Sequence, residues 1–165
     1  FILNAGHETT TNLIGNALWA LCTYPMARKT LIKNPAILNL AIDEFLRFLS
    51  PNQFGNRETA FEVSLSGKKI PKNTNLHLCI GAANRDPLQF KDPEELIIDR
   101  TPNRHLAFAG GAHHCVGFSL AKMEARIAIG MFLRNFPNYN LISKPRWSRR
   151  IRFRGLTHLH ARLER

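Results

Sequence analysis

Prolines divide this chain before any other signal is read. A proline inside a helix loses a backbone hydrogen bond and its ring clashes with the preceding turn, so helices end at or just before one. Pro25, Pro35, Pro51 and Pro137 each border a run whose apolar residues recur at helical spacing. In the first run Ile2, Leu3, Ala5, Leu13, Ile14, Ala17, Leu18 and Leu21 fall near a 3.6-residue period, which predicts a helix over Ile2 to Thr23 ending near Tyr24. Met26 to Lys33 reads as a short amphipathic turn or helix closed by Asn34-Pro35. Pro35 suits a helix start, and Ala36 to Leu49 presents Ile37, Leu40, Ala41, Phe45 and Leu49 on one face until Ser50-Pro51 stops it. The last run predicts a helix over Phe118 to Phe136, with Leu120, Met123, Ile127, Gly130, Met131 and Leu133 on a broad apolar face.

Between these helices the period changes. Phe61, Val63 and Leu65 alternate, Ser66-Gly67 turns the chain, and Leu76, Leu78 and Ile80 alternate again, so Arg57 to Ile80 reads as a small β region with a hairpin. Ala83 to Leu106 is rich in Asn, Asp, Pro and Arg and has little periodicity. An irregular stretch this long inside a compact domain tends to be functional. Short strands are expected at Tyr139 to Ile142 and Arg152 to Leu156. The order predicts one α+β, mainly helical domain.

With 165 residues, 44% of them hydrophobic and 21% charged, the chain can bury a core and is not of disordered composition. No apolar run is long enough for a membrane span, and Phe1 to Leu3 lacks the basic flank of a leader, so no membrane is expected. Cys22, Cys79 and Cys115 are odd in number and far apart, which points to a reducing compartment and a cytoplasmic location. The net charge is +11, and Lys144 to Arg165 is dense in arginine with only Glu164 opposing. No nucleic-acid motif accompanies this segment, so a solvated face or an acidic protein partner is the simpler reading.

The sharpest chemistry lies in Phe108-Ala-Gly-Gly-Ala-His-His-Cys115-Val-Gly117. Glycines on both sides of the cysteine suit a tight loop whose backbone approaches something flat or anionic. A cysteine just ahead of a helix feels the positive end of its dipole and the N–H groups there, which favours the thiolate that a metal needs. Zinc held by His105, His113, His114 and Cys115 is an alternative, although adjacent residues rarely converge on one tetrahedral centre. A buried free cysteine is another. Glu44 and Arg47 form an E-x-x-R spaced to share a helix face. Ala5-Gly6-His7-Glu8-Thr9-Thr10 places an acid and a hydroxyl beside a glycine that is costly in a helix interior.

In this order the three motifs resemble the C-terminal part of a cytochrome P450 of the soluble bacterial type, over essentially the whole chain. Ala5 to Thr10 resembles that family's oxygen-activating segment and Glu44/Arg47 its E-x-x-R, with Arg100 as the third member of the network. Phe108 to Gly117 resembles its haem loop. The resemblance implies that residues 1–165 are the C-terminal portion of one P450 domain, truncated at its N-terminus within the central helix, with a small β region and a cysteine haem loop. It implies haem b (iron protoporphyrin IX) as cofactor and Cys115 as the axial ligand of the iron, a thiolate that donates electron density. Phe108 and Gly117 belong to the haem-binding loop, and Arg57 and His113 would pair with the propionates. Gly6 would leave room over the iron, and Glu8 and Thr9 would organise a proton relay to dioxygen. The implied reaction is monooxygenation of a small hydrophobic organic substrate, with electrons from a ferredoxin or flavodoxin docking on a basic face that includes Lys122 and Arg126. By family analogy, Asn52 to Asn56 and Leu156 to His158 would touch substrate. Ala109 stands where the family's loop usually has its first glycine. If that position needs positive φ, alanine costs about 1 kcal/mol. Completion by another polypeptide, a non-catalytic haem-binding remnant, or a basic interaction or nucleic-acid module are the alternative expectations.

Overall fold

The computed structural model describes residues 2–164. Phe1 and Arg165, the last of the basic residues counted above, lie outside the described residues. Helix α1 runs over Ile2–Thr23 and α2 over Pro25–Lys33. A single 3-10 turn, Pro35–Ile37, leads into α3, Leu38–Leu49. Helix α3 ends at Ser50, whose φ of 40° turns the chain out in a left-handed cap. Then come β1 (Phe54–Glu58), β2 (Val63–Leu65), β3 (Lys68–Ile70), β4 (Asn75–Cys79) and the single turn α4 (Ile80–Ala83). After a long irregular stretch follow α5 (Phe118–Asn135), β5 (Asn140–Leu141), β6 (Arg146–Trp147), β7 (Leu156–His158) and β8 (Ala161–Arg162).

The core is where α1, α3 and α5 meet. Leu13, Ala17, Ala20 and Leu21 of α1 pack with Ala41, Ile42, Phe45 and Leu49 of α3 and with Ala125, Ile129 and Leu133 of α5, all buried. The alanines let the helices approach closely, and the larger side chains fill the remaining space to interior density. Tyr139 locks the segment after α5 onto α1: its buried hydroxyl donates to the Leu18 carbonyl at 2.6 Å, and burial pushes the phenol well above its ordinary pKa. The strands form antiparallel pairs: β1 with β4, β2 with β3, β5 with β8 and β6 with β7.

Four expectations need correction. The β region starts at Phe54 rather than Arg57, because Phe54, Gly55 and Asn56 pair with Cys79, Leu78 and His77 without any apolar alternation of their own. Ile80 opens α4 instead of ending a strand. The expected strand at Arg152 to Leu156 begins at Leu156, and β6 and β8 went unread because two-residue strands carry no periodicity. Most of the apolar face read on α5 is not core: Leu120, Met123, Ile127 and Met131 are 54%, 46%, 50% and 56% exposed. The buried stripe is Ala125, Ile129 and Leu133.

Candidate functional site

Three short backbone hydrogen bonds shape the cysteine loop. The Ala109 N–H donates to Leu106 O (2.8 Å), Cys115 N–H to Phe108 O (2.9 Å), and Ala121 N–H to Gly117 O (2.9 Å). Ala109 (φ 58°) and Gly111 (φ 61°) both take left-handed backbone, and Gly111–His113 forms one 3-10 turn. The result presents Cys115 to solvent two residues before the Gly117 cap of α5. Among the described residues no hydrogen bond reaches its Sγ, so the N–H donation to sulfur expected from the sequence is not made. Phe108 packs its ring with those of His114 and Phe118, at centroid distances of 6.5 and 6.2 Å.

Beneath the loop lies a buried ionic network. Arg47 donates in bidentate fashion to Glu44, both bonds 2.8 Å, and its remaining N–H groups reach the carbonyls of Asn84, Pro93 and Glu95. All five guanidinium donors are thereby used. Arg100 Nε donates to both Glu44 oxygens at 3.1 and 3.2 Å, and the Ile97 N–H and the Asn103 amide add further bonds to the same carboxylate. Glu44 and Arg47 are fully buried. Such a pair is costly unless its hydrogen bonds are complete, and here they tie α3 to the irregular Asn84–Asn103 stretch. Asn84, also buried, accepts from the Leu106 N–H at 2.7 Å and so fixes the entry to the loop.

Asp43, one residue before Glu44, makes a second anchor. It accepts from His105 Nε2 (3.3 Å) and from Lys122 Nζ (2.7 Å). His105 Nδ1 in turn accepts from the Ala107 N–H at 3.2 Å, which places the ring proton on Nε2, facing Asp43. One carboxylate thus holds the residues entering the loop and the helix leaving it. Burial pushes the Asp43 carboxyl up, but the bonds from His105 and Lys122 and the Lys122 charge outweigh it and hold it below the ordinary carboxylate range. Lys122 is therefore neutralised within the fold and adds no free charge to a basic face, whereas Arg126 stays exposed.

The acid–hydroxyl motif lies on α1, which runs through it as continuous helix. Gly6 faces open space: a Cβ there would meet nothing within 4 Å. The Thr9 hydroxyl donates back to the Ala5 carbonyl at 3.1 Å, while the Glu8 carboxylate accepts from Arg150. Arg150 belongs to the basic segment, which the sequence reading treated as a charged face. The structure folds it across α1. Asn16 Nδ2 donates to Arg154 O, Gln53 N–H to Arg152 O and Arg154 N–H to Pro51 O, each at 2.8–2.9 Å. Buried Gly155 leaves no room for a Cβ against the Asn12 amide.

The expected site residues therefore fall into groups. Glu44, Arg47 and Arg100 share one network. Phe108, His113, Cys115 and Gly117 share the loop, with His113 exposed. Gly6, Glu8 and Thr9 share the first turns of α1. The Arg57 guanidinium, on β1, donates only to the Asn56 carbonyl among the described residues, and no hydrogen bond joins it to His113 there. Asp43, Asn84 and Arg150 were missed, and His105, read only as a candidate zinc ligand, instead holds Asp43. A second carboxylate directly before the E-x-x-R was a usable signal for Asp43, but nothing local distinguishes Arg150 from its basic neighbours.

A tetrahedral metal site is excluded among the described residues, since no group of three or more His, Cys, Asp or Glu side chains converges. His105, counted toward zinc above, is 8% exposed and occupied by Asp43. A lone exposed cysteine beside Gly110 and Gly111, where added Cβ atoms would meet nothing within 4 Å, suits a flat group whose metal already has in-plane donors of its own. The donor set and the bare glycine edge fit haem.

The family model for cytochrome P450 matches residues 1–139. The biotin biosynthesis cytochrome P450 of Bacillus subtilis is 42% identical over 137 residues, covering 83% of this chain and 35% of that protein. Cytochrome P450 107B1 of Saccharopolyspora erythraea is 41% identical over 165 residues, covering 98% of this chain and 41% of its own length. Among solved structures, P450BioI in complex with acyl carrier protein ligated to hexadec-9Z-enoic acid superposes with a TM-score of 0.94 at 40% identity, covering 97% of this chain and 42% of that one. CYP109E1 from Bacillus megaterium in complex with testosterone gives 0.97 at 34% identity, covering 99% and 46%. The chain thus spans about two fifths of the length of these relatives.

Proposed function

The chain belongs to the cytochrome P450 family, whose members use haem b, and from that premise we propose that it carries the haem-thiolate half of a monooxygenase. The carrying observation is the exposed Cys115 on a loop whose entry is fixed by Asn84 and His105 and whose exit is fixed by Lys122. A ligand loop held from both sides by part-buried bonds is positioned before the metal arrives, which is what preorganisation requires.

When bound, haem b supplies activation of dioxygen, so that one oxygen atom enters a C–H bond of the substrate and the other leaves as water. The balance needs two electrons and two protons. A ferredoxin or flavodoxin would supply the electrons, with exposed Arg126 of α5 as one point of its docking face. Cys115 would bind the iron, with Phe108 and Gly117 in the cradle around it. Arg57 and His113, both free of carboxylate partners among the described residues, would take the propionates. Glu8 and Thr9 would hold and pass the protons. In the resting geometry the Thr9 hydroxyl donates to the Ala5 carbonyl and Glu8 is held by Arg150, so a relay through them requires both bonds to exchange. The substrate would be a small, largely apolar organic molecule, and the cytoplasm its setting.

Titration of the purified chain with ferric haem tests this reading. Saturable uptake at one haem per chain is expected, with a thiolate-type absorption spectrum that Cys115→Ala removes and Cys79→Ala leaves intact. The same spectrum in Cys115→Ala would show that the ligand is wrongly assigned.

A further inference from the structure

Beside the first turns of α1 lies a cavity of about 740 Å³, lined by Leu3, His7 and Glu8 from α1 and by Arg150, Arg152 and Phe153 from the segment folded across it. That volume is within the roughly 300–1,000 Å³ of typical small-molecule sites. Its charge is lopsided. Arg150 is matched by Glu8, while Arg152 has no carboxylate partner among the described residues. Both guanidinium groups lie against the Phe153 ring, at 5.2 and 5.3 Å from its centroid. The Arg152 and Phe153 backbone is not free to wander: Gln53 N–H donates to Arg152 O at 2.8 Å, and Phe153 bridges to Asn52. The cavity therefore pairs an apolar wall, Leu3 and Phe153, with one exposed guanidinium that has no carboxylate partner among the described residues and whose backbone is held, next to the acid–hydroxyl motif.

We propose that the substrate is an organic monoanion, an apolar chain ending in a carboxylate, which Arg152 receives in bidentate fashion while the chain lies along Leu3 and Phe153. A guanidinium fork matches a carboxylate in geometry as well as charge, and an aromatic ring beside it limits its rotamers before the ligand arrives. The single net positive charge of the two arginines and Glu8 favours a monoanion over a phosphate dianion. Arg150 adds a second role. A ligand carboxylate within its reach competes with Glu8, so substrate binding frees the Glu8 carboxylate that proton transfer needs. This inference rests on the monooxygenase reading for its purpose, but the binding itself does not depend on haem.

Isothermal titration of the full chain with dodecanoate, dodecanol and dodecyl phosphate at neutral pH tests it, with the carbon-monoxide spectrum recorded on the same haem-loaded sample. Dodecanoate is expected to bind about tenfold or more tightly than dodecanol, the scale of one charge-assisted pair, and more tightly than the phosphate. Arg152→Gln should erase the preference over dodecanol with little change in dodecanol binding, Arg152→Lys should restore part of it, and Arg149→Gln, outside the cavity, should leave it intact. Equal binding of dodecanoate and dodecanol, a preference for the phosphate, or a preference that survives Arg152→Gln or falls equally with Arg149→Gln would overturn the proposal. A missing thiolate signature alongside an intact carboxylate preference would count against the haem reading and not against this site.

Discussion

Ala109 holds φ at 58° in a loop where an alanine Cβ crowds the neighbouring carbonyl. Glycine has no such penalty, so Ala109→Gly should raise stability by about 1 kcal/mol, read as an upward shift in thermal unfolding. Gly111, at φ 61°, predicts the reverse: Gly111→Ala should lower stability by about the same amount, because open space around it leaves only the backbone term. The Asp43 carboxyl makes a pH-dependent contribution. Its folded pKa lies below its ordinary value, so its stabilisation is present above about pH 4 and is lost as the pH falls through the folded value. Asp43→Asn should therefore weaken the fold near neutral pH, and its deficit against the parent should shrink on acidification. A deficit constant from neutral pH to pH 3 would contradict the assignment.

At the scale of elements, α3 is the hub. It contributes core through Phe45 and Leu49, ties down the Asn84–Asn103 stretch through Glu44 and Arg47, and holds the residues flanking the cysteine loop through Asp43. Removing one member of a fully buried, fully bonded pair leaves an uncompensated charge, so Arg47→Ala should cost about 3–5 kcal/mol by chemical denaturation, far more than an exposed pair at the same spacing. Here sequence and structure part company in an instructive way. The helices were legible because proline bounds them and their apolar residues recur. The order of the three motifs made the cysteine loop legible as well. The E-x-x-R spacing placed Glu44 and Arg47 on one face, but burial is what gives that pair its importance, and spacing does not report burial. The segment from Arg149 to Arg154 read as a charged run because its neighbours are basic; its position across α1 comes from the bonds of Asn16, Gln53 and Pro51, all distant in sequence.

Over the whole molecule, two apolar stripes run along α5, and only one is covered. Ile129 is fully buried, whereas Met123 and Ile127 are about half exposed. A contiguous apolar stripe of this kind promotes self-association. Replacing Met123 and Ile127 with lysine should change unfolding by no more than about 0.5 kcal/mol each and reduce light scattering at high concentration, while Ile129→Lys should abolish cooperative unfolding. The fold also divides its work: the α1–α3–α5 core is buried and packed, and what it positions is a loop, a helix terminus and one arginine-bearing segment.

The most direct test of the account is the reduced carbon-monoxide difference spectrum of the chain loaded with haem b. A strongly red-shifted Soret band, lost in Cys115→Ala, is the predicted result, since Cys115 would bind the iron as a thiolate. An unshifted band, or no saturable haem uptake, would contradict the claim that this loop presents Cys115 as an iron ligand.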